Sequence, residues 1–402
     1  MAATTMSTLP VLIAGGGIGG LATAIALAQR DVPSIIVEKR SESREAGAGI
    51  QIGPHGVKIL RTLGVADALA ELVGVPEAIV ARDGNSGKVI TRLPLGAWIA
   101  QRHGAPYWVL HRADLHNALL AMARQHGHHI EIRLGAELHA FTPDINHIKA
   151  HLSSRNGEAD IAGRALIGAD GIGSTVRAKL RAAPPRLSPT SAARAVFAIP
   201  PTGPCAEPVV TLWLSRRSHV VHYPVRNDRE VSAVAFAHDH KDGTEYPPES
   251  GATLVQRLGA TAPELTRALT IVDRWEKWPV VGWCRPDYAP HRRIALLGDA
   301  AHPIRPYLAQ GAVMALEDAV VLAAQLASAA DDLPAALRAY AAMRAGRANR
   351  VARVSMLNGL TYHLPWPLSQ ARNAVLRRVG GERLLSAYDW LYAADISGNS
   401  GG

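Results

Sequence analysis

The feature that most constrains the fold is the stretch at residues 10–40, PVLIAGGGIGGLATAIALAQRDVPSIIVEKR. It opens with the short apolar run VLIA, which is typical of a buried parallel strand. Gly15, Gly17 and Gly20 follow at the spacing that permits a tight turn, the approach of a pyrophosphate to the backbone, and close packing of the next helix. A second predicted strand ends at Glu38, 23 residues after Gly15, where a carboxylate can bind a ribose diol. The stretch therefore predicts a βαβ unit that binds a dinucleotide, with the pyrophosphate at the helix N-terminus.

The same stretch has a second interpretation, because residues 9–28 carry no charge over 20 positions, the length that a membrane helix needs. The glycine-rich turn and the complete βαβ pattern argue against a membrane span, and no Lys or Arg precedes it to form a signal peptide. The two cysteines, Cys205 and Cys284, are too few for a disulfide framework and form no CxxC pair. We therefore expect a protein without a membrane span, located in the reducing cytoplasm.

The charge balance is basic, with a net charge of +9 and a pI of about 9.8. The 43 Lys and Arg residues are scattered, and no basic run is longer than a short pair such as Arg216-Arg217. A nucleic-acid-binding surface normally clusters these residues, so we expect no nucleic-acid partner. The expected ligands of these positive charges are small anions: dinucleotide phosphates and a carboxylate or phenolate substrate.

The pattern changes between residues 193 and 283 to strand-like runs separated by Pro, Gly and Asn-Asp turns. It predicts an α/β protein in which a mostly antiparallel β substrate domain is inserted in a Rossmann-like domain, followed by C-terminal helices. The first segment of the nucleotide-binding domain is expected at 8–185, with a β excursion at about 79–110. The β-rich substrate domain is expected at 186–285, and the nucleotide-binding domain returns at 286–330. The C-terminal helices are expected at 331–396 and a loose tail at 397–402.

Two other predicted strands end in an acid, Asp170 and Asp299, at the edge where ligands bind in open α/β sheets. For Asp170 an ordinary turn that caps the next helix is an alternative. Arg112, in the first turn of a predicted helix, is oddly placed for the helix dipole unless a phosphate lies nearby. Gln51 and His55 follow a glycine-rich loop and either face a ligand or lie on the surface.

Five arginines recur at helical spacings in the C-terminal region, which indicates a solvated helix face or a partner surface. They are Arg338, Arg344, Arg347, Arg350 and Arg353. Metal catalysis is not expected, because the histidine groups at 126, 128 and 129 and at 238 and 240 fall in predicted loops without a further ligand at useful spacing.

Three motifs in order resemble those of the group A flavoprotein monooxygenases, the single-component aromatic hydroxylases of the p-hydroxybenzoate hydroxylase fold. They are GGGIGG at 15–20 with Glu38, GADGIGSTVR at 168–177 and GDAAHPIRPYLAQGAVMALEDA at 298–319. The arginine-rich helix and NGLTYH at 358–363 resemble the branch that contains salicylate hydroxylase, 3-hydroxybenzoate 6-hydroxylase and 6-hydroxynicotinate 3-monooxygenase.

The resemblance implies FAD as the cofactor, with Glu38 on the adenosine ribose, Arg112 near the phosphates and ribityl chain, Asp299 on the ribityl chain, and backbone N–H groups near Gly311 by the isoalloxazine. The full set of implied FAD-binding residues is Gly15, Gly17, Ile18, Gly19, Gly20, Glu38, Lys39, Gly49, Ile50, Arg112, Asp170, Asp299, Gly311 and Ala312.

The resemblance also implies the reaction: NAD(P)H reduces FAD, O2 adds to give a flavin C4a-hydroperoxide, and an electron-rich phenolic or N-heteroaromatic substrate is hydroxylated. A base that withdraws a phenolic proton assists this chemistry, and histidine suits the task. His222 is the expected base, with Tyr223, Gln51, Arg305 and Tyr307 as further pocket residues. Arg305 is expected either to bind a substrate carboxylate or to lie on the surface, and His302 is interpreted as structural.

Several alternatives remain at this point. The same fold could act on a non-aromatic substrate, or the chain could bind a dinucleotide without catalysis. A flavin halogenase would need a catalytic Lys and a WxWxIP motif, for which WEKW at 275–278 is a poor substitute, and a disulfide reductase would need paired cysteines. The choice of NADH or NADPH, the aromatic substrate and the state as monomer or homodimer are left open.

Overall fold

The computed structural model describes residues 9–42, 48–180, 187–238, 246–282, 286–329 and 332–394. The predicted tail at 397–402 and Cys284 lie outside the described residues.

A five-stranded parallel sheet, in the order β17-β11-β1-β2-β7, forms the core of the nucleotide-binding part. Its strands are β1 (Val11–Ala14), β2 (Ser34–Glu38), β7 (Ile130–Leu134), β11 (Ala165–Gly168) and β17 (Ile294–Leu296). The central strands are short apolar runs buried on both faces, as expected for a parallel sheet covered by helices. Because β17 comes more than a hundred residues after β11, the intervening chain is an insertion, as the sequence predicts.

Helix α1 (Ile18–Ala28) packs directly on β1, β2 and β7. The other helices of this part are α2 (Pro54–Thr62), α3 (Ala66–Leu69), α5 (Arg112–Gln125), α6 (Thr175–Lys179) and α9 (Gly311–Ser328). The uncharged stretch at 9–28 is a strand followed by a helix, not one continuous helix. Among the described residues one helix, α9, is long and apolar enough to span a membrane, and 67% of it is buried inside the protein. It packs between α1 and the C-terminal helix α10 (Leu333–Tyr362).

A seven-stranded sheet, in the order β16-β12-β15-β14-β13-β4-β5, forms the second layer. Its strands are β4 (Ala78–Asp83), β5 (Val89–Pro94), β12 (Leu187–Ala198), β13 (Val210–Ser215), β14 (Ser218–Val225), β15 (Glu230–His238) and β16 (Glu276–Val281). All neighbours are antiparallel except β13 and β4. Two short helices, α7 (Gly251–Leu258) and α8 (Pro263–Thr270), cover one face over the buried rings of Trp213 and Trp275.

The segment at 79–110, predicted as a β excursion of the nucleotide-binding domain, has a different arrangement in the structure. Its strands β4 and β5 belong to the seven-stranded sheet, and residues 96–103 form a helix, α4 (Gly96–His103), instead of a strand. Alternation of apolar and polar residues predicts a strand but cannot show which sheet the strand joins.

Two smaller sheets complete the β structure. One pairs β3 (Gly49–Ile52) with β6 (Trp108–His111), and the other joins β8 (Ala136–Pro143), β9 (Ile148–Ser154) and β10 (Gly157–Gly163). The backbone N–H of Gly49 donates to Ser232 Oγ of β15 at 2.8 Å. The strand β3 therefore connects the nucleotide-binding part to the seven-stranded sheet.

The C-terminal part is helical, as the sequence predicts. Helix α10 is followed by α11 (Leu368–Val379), α12 (Gly381–Ser386) and α13 (Asp389–Tyr392).

The arginine pattern on α10 is not a wholly solvated face. Arg344 is 2% exposed and lies between Glu317 and Asp318 of α9, and Arg347 also pairs with Glu317. Helical spacing alone could not show this, because the acids that face these arginines come from another helix.

Candidate active site

A cavity of about 870 Å³ follows the carboxyl ends of the parallel strands and reaches the seven-stranded sheet. At the end that we call the nucleotide end it is lined by Gly15, Gly16, Gly17, Ile18, Gly19, Glu38, Lys39, Arg112, Asp170 and Asp299. At the end that we call the aromatic end it is lined by Ala192, Arg194, Val221, Tyr223, Val234, Phe236 and Trp278. Gly49, Ile50, Gln51, Gly311 and Ala312 also line it.

The glycine turn has separate roles for its three glycines. Gly15 has a φ of +107°, and a Cβ there would lie 2.4 Å from the carbonyl oxygen of Ala169. A Cβ on Gly20 would lie 2.0 Å from the carbonyl oxygen of Gly15, so Gly20 allows close packing of α1 and does not itself line the cavity. A Cβ on Gly17 would meet nothing within 4 Å. The second glycine therefore leaves open space at the start of α1, where a phosphate group fits.

The start of α1 and the end of β2 face each other across this turn. Helix α1 begins after Gly17 without a side-chain cap and without an acid in its first turn, so its first N–H groups keep no carboxylate partner from their own helix. Glu38 accepts hydrogen bonds from the backbone N–H of Gly16 at 2.7 Å and of Arg40 at 3.0 Å. Two fixed carboxylate oxygens beside uncapped N–H groups suit a ribose next to a pyrophosphate.

The position of Asp170 agrees with both interpretations from the sequence, an acid at a ligand-binding sheet edge and a turn residue that caps the next helix. Its Oδ2 accepts from the backbone N–H of Val176 at 3.1 Å at the start of α6, while its Oδ1 is buried without a hydrogen-bond partner among the described residues. Burial raises the pKa of this carboxyl group. Arg177, from the same motif, is buried and donates to the carbonyl oxygen of Ala300 at 3.0 Å. This hydrogen bond therefore joins α6 to the GD motif.

Asp299 lines the cavity beside the start of α9, and its side chain is exposed to it. Its Oδ1 is 3.9 Å from the position that a Cβ on Gly311 would take. Burial raises the pKa of Asp299, while the charges of His302 and Arg112 oppose that rise. Helix α9 has 18 residues, no acid in its first turn and no side-chain cap. Its positive N-terminal end therefore faces the cavity, next to a carboxylate that suits a polyol.

These features fit FAD: a cavity long enough to join two sheets, uncapped helix starts at two points along it, and carboxylates at the strand ends between them. A sequence profile described as "FAD binding domain" matches residues 8–355.

The chain belongs to the FAD binding domain family.

Two relatives of the chain are named as a hydroxylase and a monooxygenase of aromatic acids. The chain is 32% identical over 396 residues to the 3-hydroxybenzoate 6-hydroxylase of Polaromonas naphthalenivorans, covering 96% of each protein. It is 32% identical over 352 residues to the 6-hydroxynicotinate 3-monooxygenase of Bordetella bronchiseptica, covering 86% of this chain and 90% of the relative. A crystal structure of a variant of HpxO from Klebsiella pneumoniae with FAD superposes with a TM-score of 0.82 at 25% identity, over 98% of this chain and all of that one.

The protein is therefore an FAD-dependent aromatic hydroxylase, an oxidoreductase that uses NAD(P)H and O2. The resemblance to the aromatic hydroxylase branch is confirmed by these relatives, as are the α/β fold and FAD as cofactor. The alternative of a dinucleotide-binding protein without catalysis is set aside.

The aromatic end of the hydroxylase is built from alternate residues of its strands. Arg194 of β12 places its guanidinium 4.0 Å from the ring centroid of Trp278 in β16. A Cβ on Gly49 would lie 2.6 Å from the ring of Tyr223, so glycine is required where β3 meets this sheet. The hydroxyl of Tyr107 donates to Gln51 Oε1 at 2.8 Å and fixes that amide at the cavity wall. The sequence prediction of Gln51 and Tyr223 as cavity residues agrees with these positions.

The expected base, His222, does not face the cavity. Side chains of a strand alternate between faces, so His219, Val221 and Tyr223 share the cavity face of β14, and His222 points to the other. Its ring lies 6.2 Å from that of Trp213, and Nε2 has no hydrogen-bond partner among the described residues. Burial, assisted by the charge of Arg82, lowers the pKa of His222 to about 3. His222 therefore does not line the cavity in which a substrate was expected to meet it.

His219 lies on the face of β14 that carries Val221 and Tyr223, although its own side chain does not line the cavity. Its ring stacks on Phe236, which lines the cavity, with centroids 4.5 Å apart. Its Nδ1 is 2.8 Å from Nε2 of His363 at the end of α10. Burial lowers the pKa of His219 well below its usual value, and the nearby His363 adds to that effect. The sequence contained a usable signal: His219 precedes Tyr223 by four residues, which puts both on one face of a strand.

Arg305 and Tyr307 lie behind the cavity wall. Tyr307 packs on Phe236, with ring centroids 5.6 Å apart, and on His219 at 5.1 Å. Arg305 lies near His363 and Tyr307, since its charge acts to lower the pKa of both groups, and it does not line the cavity. The predicted contact of Arg305 with a substrate carboxylate is therefore not supported by its position. Sequence reasoning missed Arg194, although a charged residue within the apolar strand AARAVFA was a signal.

His55 and His302 are structural in this arrangement. His55 is 1% exposed, bonds to Gln310 Oε1 at 3.0 Å, and lies 3.7 Å from Glu317, so it neither faces the cavity nor lies on the surface. Burial lowers the pKa of His55 to about 4. His302 bonds to Asp318 at 2.5 Å. Within the described ranges no group of three or more His, Cys, Asp or Glu side chains could hold a metal ion.

Proposed function

We propose that the substrate is a phenolic or N-heteroaromatic carboxylate, bound at the aromatic end of the cavity and hydroxylated there. The observation that carries this proposal is the continuity of one cavity from the dinucleotide turn to a wall that combines Trp278 and Phe236 with Arg194 and Tyr223. Flat apolar walls favour an aromatic ring, and a guanidinium favours an anion. The names of the relatives support it, because 3-hydroxybenzoate and 6-hydroxynicotinate are both hydroxylated aromatic acids.

We further propose how the residues of the cavity hold FAD, which when bound carries electrons from NAD(P)H and activates O2 for hydroxylation of the ring. The uncapped N–H groups of α1 bind the pyrophosphate, and Glu38 binds the adenosine ribose. Arg112 neutralises a phosphate, which accounts for a cation in the first turn of α5. Asp299 binds the ribityl chain, and the N–H groups at Gly311 and Ala312 stabilise negative charge on the ring system.

We assign the role of base to His219 instead of His222. His219 is a neutral imidazole at neutral pH, because burial disfavours the charged form. It lies on the face that carries Tyr223 and beside Phe236 at the cavity wall. A neutral imidazole there can accept the phenolic proton of the substrate and make the ring more nucleophilic. Tyr223 and Gln51 then serve to orient the substrate hydroxyl, and the closed apolar wall keeps water out.

The first test is NADH and NADPH oxidation by the FAD-loaded protein with hydroxylated benzoates, hydroxynicotinates and neutral phenols, with product identification. A hydroxylated anionic aromatic that stimulates oxidation and yields one added oxygen supports the proposal. Stimulation by neutral phenols alone, or by non-aromatic compounds alone, would contradict it. The same assay determines the preferred nicotinamide donor. A cytoplasmic location is proposed with it, since the substrates and donors are small soluble molecules.

The replacement of Arg194 by glutamine is expected to raise KM for an anionic aromatic substrate by about 10–100-fold, because a hydrogen bond to a charged group contributes about 1.5–3 kcal/mol. For a neutral phenol the same variant should change KM by less than about threefold, since no charge is lost. The measurement is steady-state kinetics with a matched pair of acid and neutral phenol. Arg305→Gln is the control, because Arg305 lies outside the cavity wall. An equal effect of both variants on the acid would reject the assignment of Arg194.

A further inference from the structure

The contact between His219 and His363 joins a side chain stacked on Phe236 of the cavity wall to the edge of the protein. His219 is 2% exposed and belongs to the seven-stranded sheet, whereas His363 is half-buried and follows the last turn of α10. Their nitrogens Nδ1 and Nε2 are 2.8 Å apart, although 144 residues separate them in the chain. Thr361 and Pro365, on either side of His363, are exposed. The pair therefore extends from the layer next to Phe236 of the cavity wall to a position near solvent.

The position of His363 is fixed by several contacts. Arg372 of α11 donates hydrogen bonds to the carbonyl oxygens of Thr361 at 2.9 Å and Tyr362 at 2.8 Å, directly before His363. The rings of Tyr307 and Tyr362 contact His219 edge-on, at 5.1 and 5.4 Å between centroids. Two helices and one sheet therefore hold the imidazoles in a defined geometry.

The charges around the pair are all positive. Arg372 and Arg305 both oppose a positive charge on His363, and His363 opposes one on His219. No ion pair in the described part of the chain joins either ring to an Asp or Glu. A proton that stayed on His219 would create a buried imidazolium beside other cations, which is unfavourable. A base in this position therefore needs a way to pass the proton on.

We propose that His363 is the outer member of a two-imidazole relay that carries the phenolic proton of the substrate from the cavity to solvent. The proposal rests on the proposed function of His219 as base. The substrate O–H bond breaks and an Nε2–H bond forms on His219. At the same time the proton between the rings moves from His219 Nδ1 to His363 Nε2, and His363 Nδ1–H gives its proton to water. Both rings stay neutral overall, and the reverse shift resets them when the product phenolate takes up a proton before release.

The test is the rate of proton release when the FAD-loaded enzyme binds 3-hydroxybenzoate, followed by a pH indicator in weak buffer after rapid mixing. His363→Gln keeps a hydrogen-bonding partner for His219 but cannot relay a proton. It is expected to slow proton release by about tenfold or more, the lower range for a positioned proton-transfer group. The affinity for the ligand, read from the flavin difference spectrum, should change by less than about twofold. A structural role for His363 would not change proton release alone.

Two further variants separate loss of the relay from a general structural effect of replacing a histidine. In His363→Ala, added imidazole is expected to restore fast proton release, since a free base can occupy the space that the ring leaves. His147→Gln is the matched control, because His147 has 37% of its side chain exposed and pairs with Asp144, away from the cavity. Wild-type proton release in His363→Gln, with slow release in His219→Gln, would overturn the relay and leave the proposed function intact. Wild-type release in His219→Gln would reject His219 as the base, and with it both proposals.

Discussion

The replacement of His219 by glutamine is expected to lower kcat for a phenolic substrate by about 10²–10⁴-fold, the range for removal of a general base. Glutamine can hydrogen-bond to His363 but cannot accept the phenolic proton. FAD binding should be retained, because the nucleotide end of the cavity is formed by other elements. The measurement is steady-state hydroxylation with product quantified, so that NAD(P)H oxidation without hydroxylation is not counted.

The pH dependence separates a base from a structural residue. As pH rises toward the phenol pKa of about 10, the substrate ionises by itself and no longer needs a base. The activity of His219→Gln should therefore rise about tenfold per pH unit, while that of the wild-type enzyme stays flatter. The matched control is His222→Gln, on the opposite face of the same strand, for which kcat should change by less than about threefold. A large loss in His222→Gln with little loss in His219→Gln would contradict the assignment made from the two faces of β14.

The replacement of Asp318 by alanine is expected to destabilise the protein by about 3–5 kcal/mol, the cost of leaving a buried charge without its partner. Asp318 accepts from Arg344 Nε at 2.7 Å, from the backbone N–H of Gly298 at 3.0 Å and from His302. All of these contacts are buried, so water cannot replace the carboxylate. The substitution also removes the hydrogen bond that holds the N–H of Gly298, in the turn that carries Asp299. The affinity for FAD should therefore decrease together with the free energy of unfolding.

The measurement is urea unfolding followed by circular dichroism, compared with Asp332→Ala as control. Asp332 caps α10 by accepting from the backbone N–H of Ala335 at 2.9 Å and is solvent-exposed. Loss of such a cap costs about 1 kcal/mol. If Asp318→Ala lost no more stability than Asp332→Ala, the buried network would not have the proposed importance.

The pH dependence of stability has a defined sign for Asp318. Its charged neighbours His302 and Arg344 outweigh burial and lower the pKa of Asp318 from 3.8 to about 2. A group with a lowered pKa in the folded state stabilises the protein above its unfolded pKa. This contribution, of the order of 2 kcal/mol, is present above about pH 4 and is lost as pH falls toward 2. The variant Asp318→Asn should show a flatter stability profile across that window.

The local backbone geometry at the nucleotide end of the cavity could be predicted from the sequence. A left-handed φ at Gly15 and the lack of room for a Cβ at Gly20 are local requirements that only glycine meets, so they appear directly in the sequence. Glu38, Asp170 and Asp299 follow short apolar strands, and parallel strands place their carboxyl ends at one edge. The order of those motifs was sufficient to predict the fold, the cofactor and the class of reaction.

The aromatic end could not be predicted as well, because it depends on which face of each strand is turned inward. A shift of one position moves a side chain to the opposite face, and the sequence around His219 and His222 is apolar on both faces, so alternation gave no direction. Arg305 illustrates a related limit. A loop residue next to a motif is close to it in sequence, but its position relative to the cavity depends on the folded chain, which places Arg305 near His363.

The sequence by itself determined the local conformations and chemistry that act over a few residues: the glycine turn, the acids at strand ends, the helix starts and the cofactor that these accommodate. The tertiary structure decided everything that depends on distant pairs. It buried Arg344 between two acids of another helix, set Arg194 over Trp278, and brought His363 within 2.8 Å of His219. Those pairs are joined only when sheets and helices pack, since register and facing direction are properties of the assembled layers and not of any single segment.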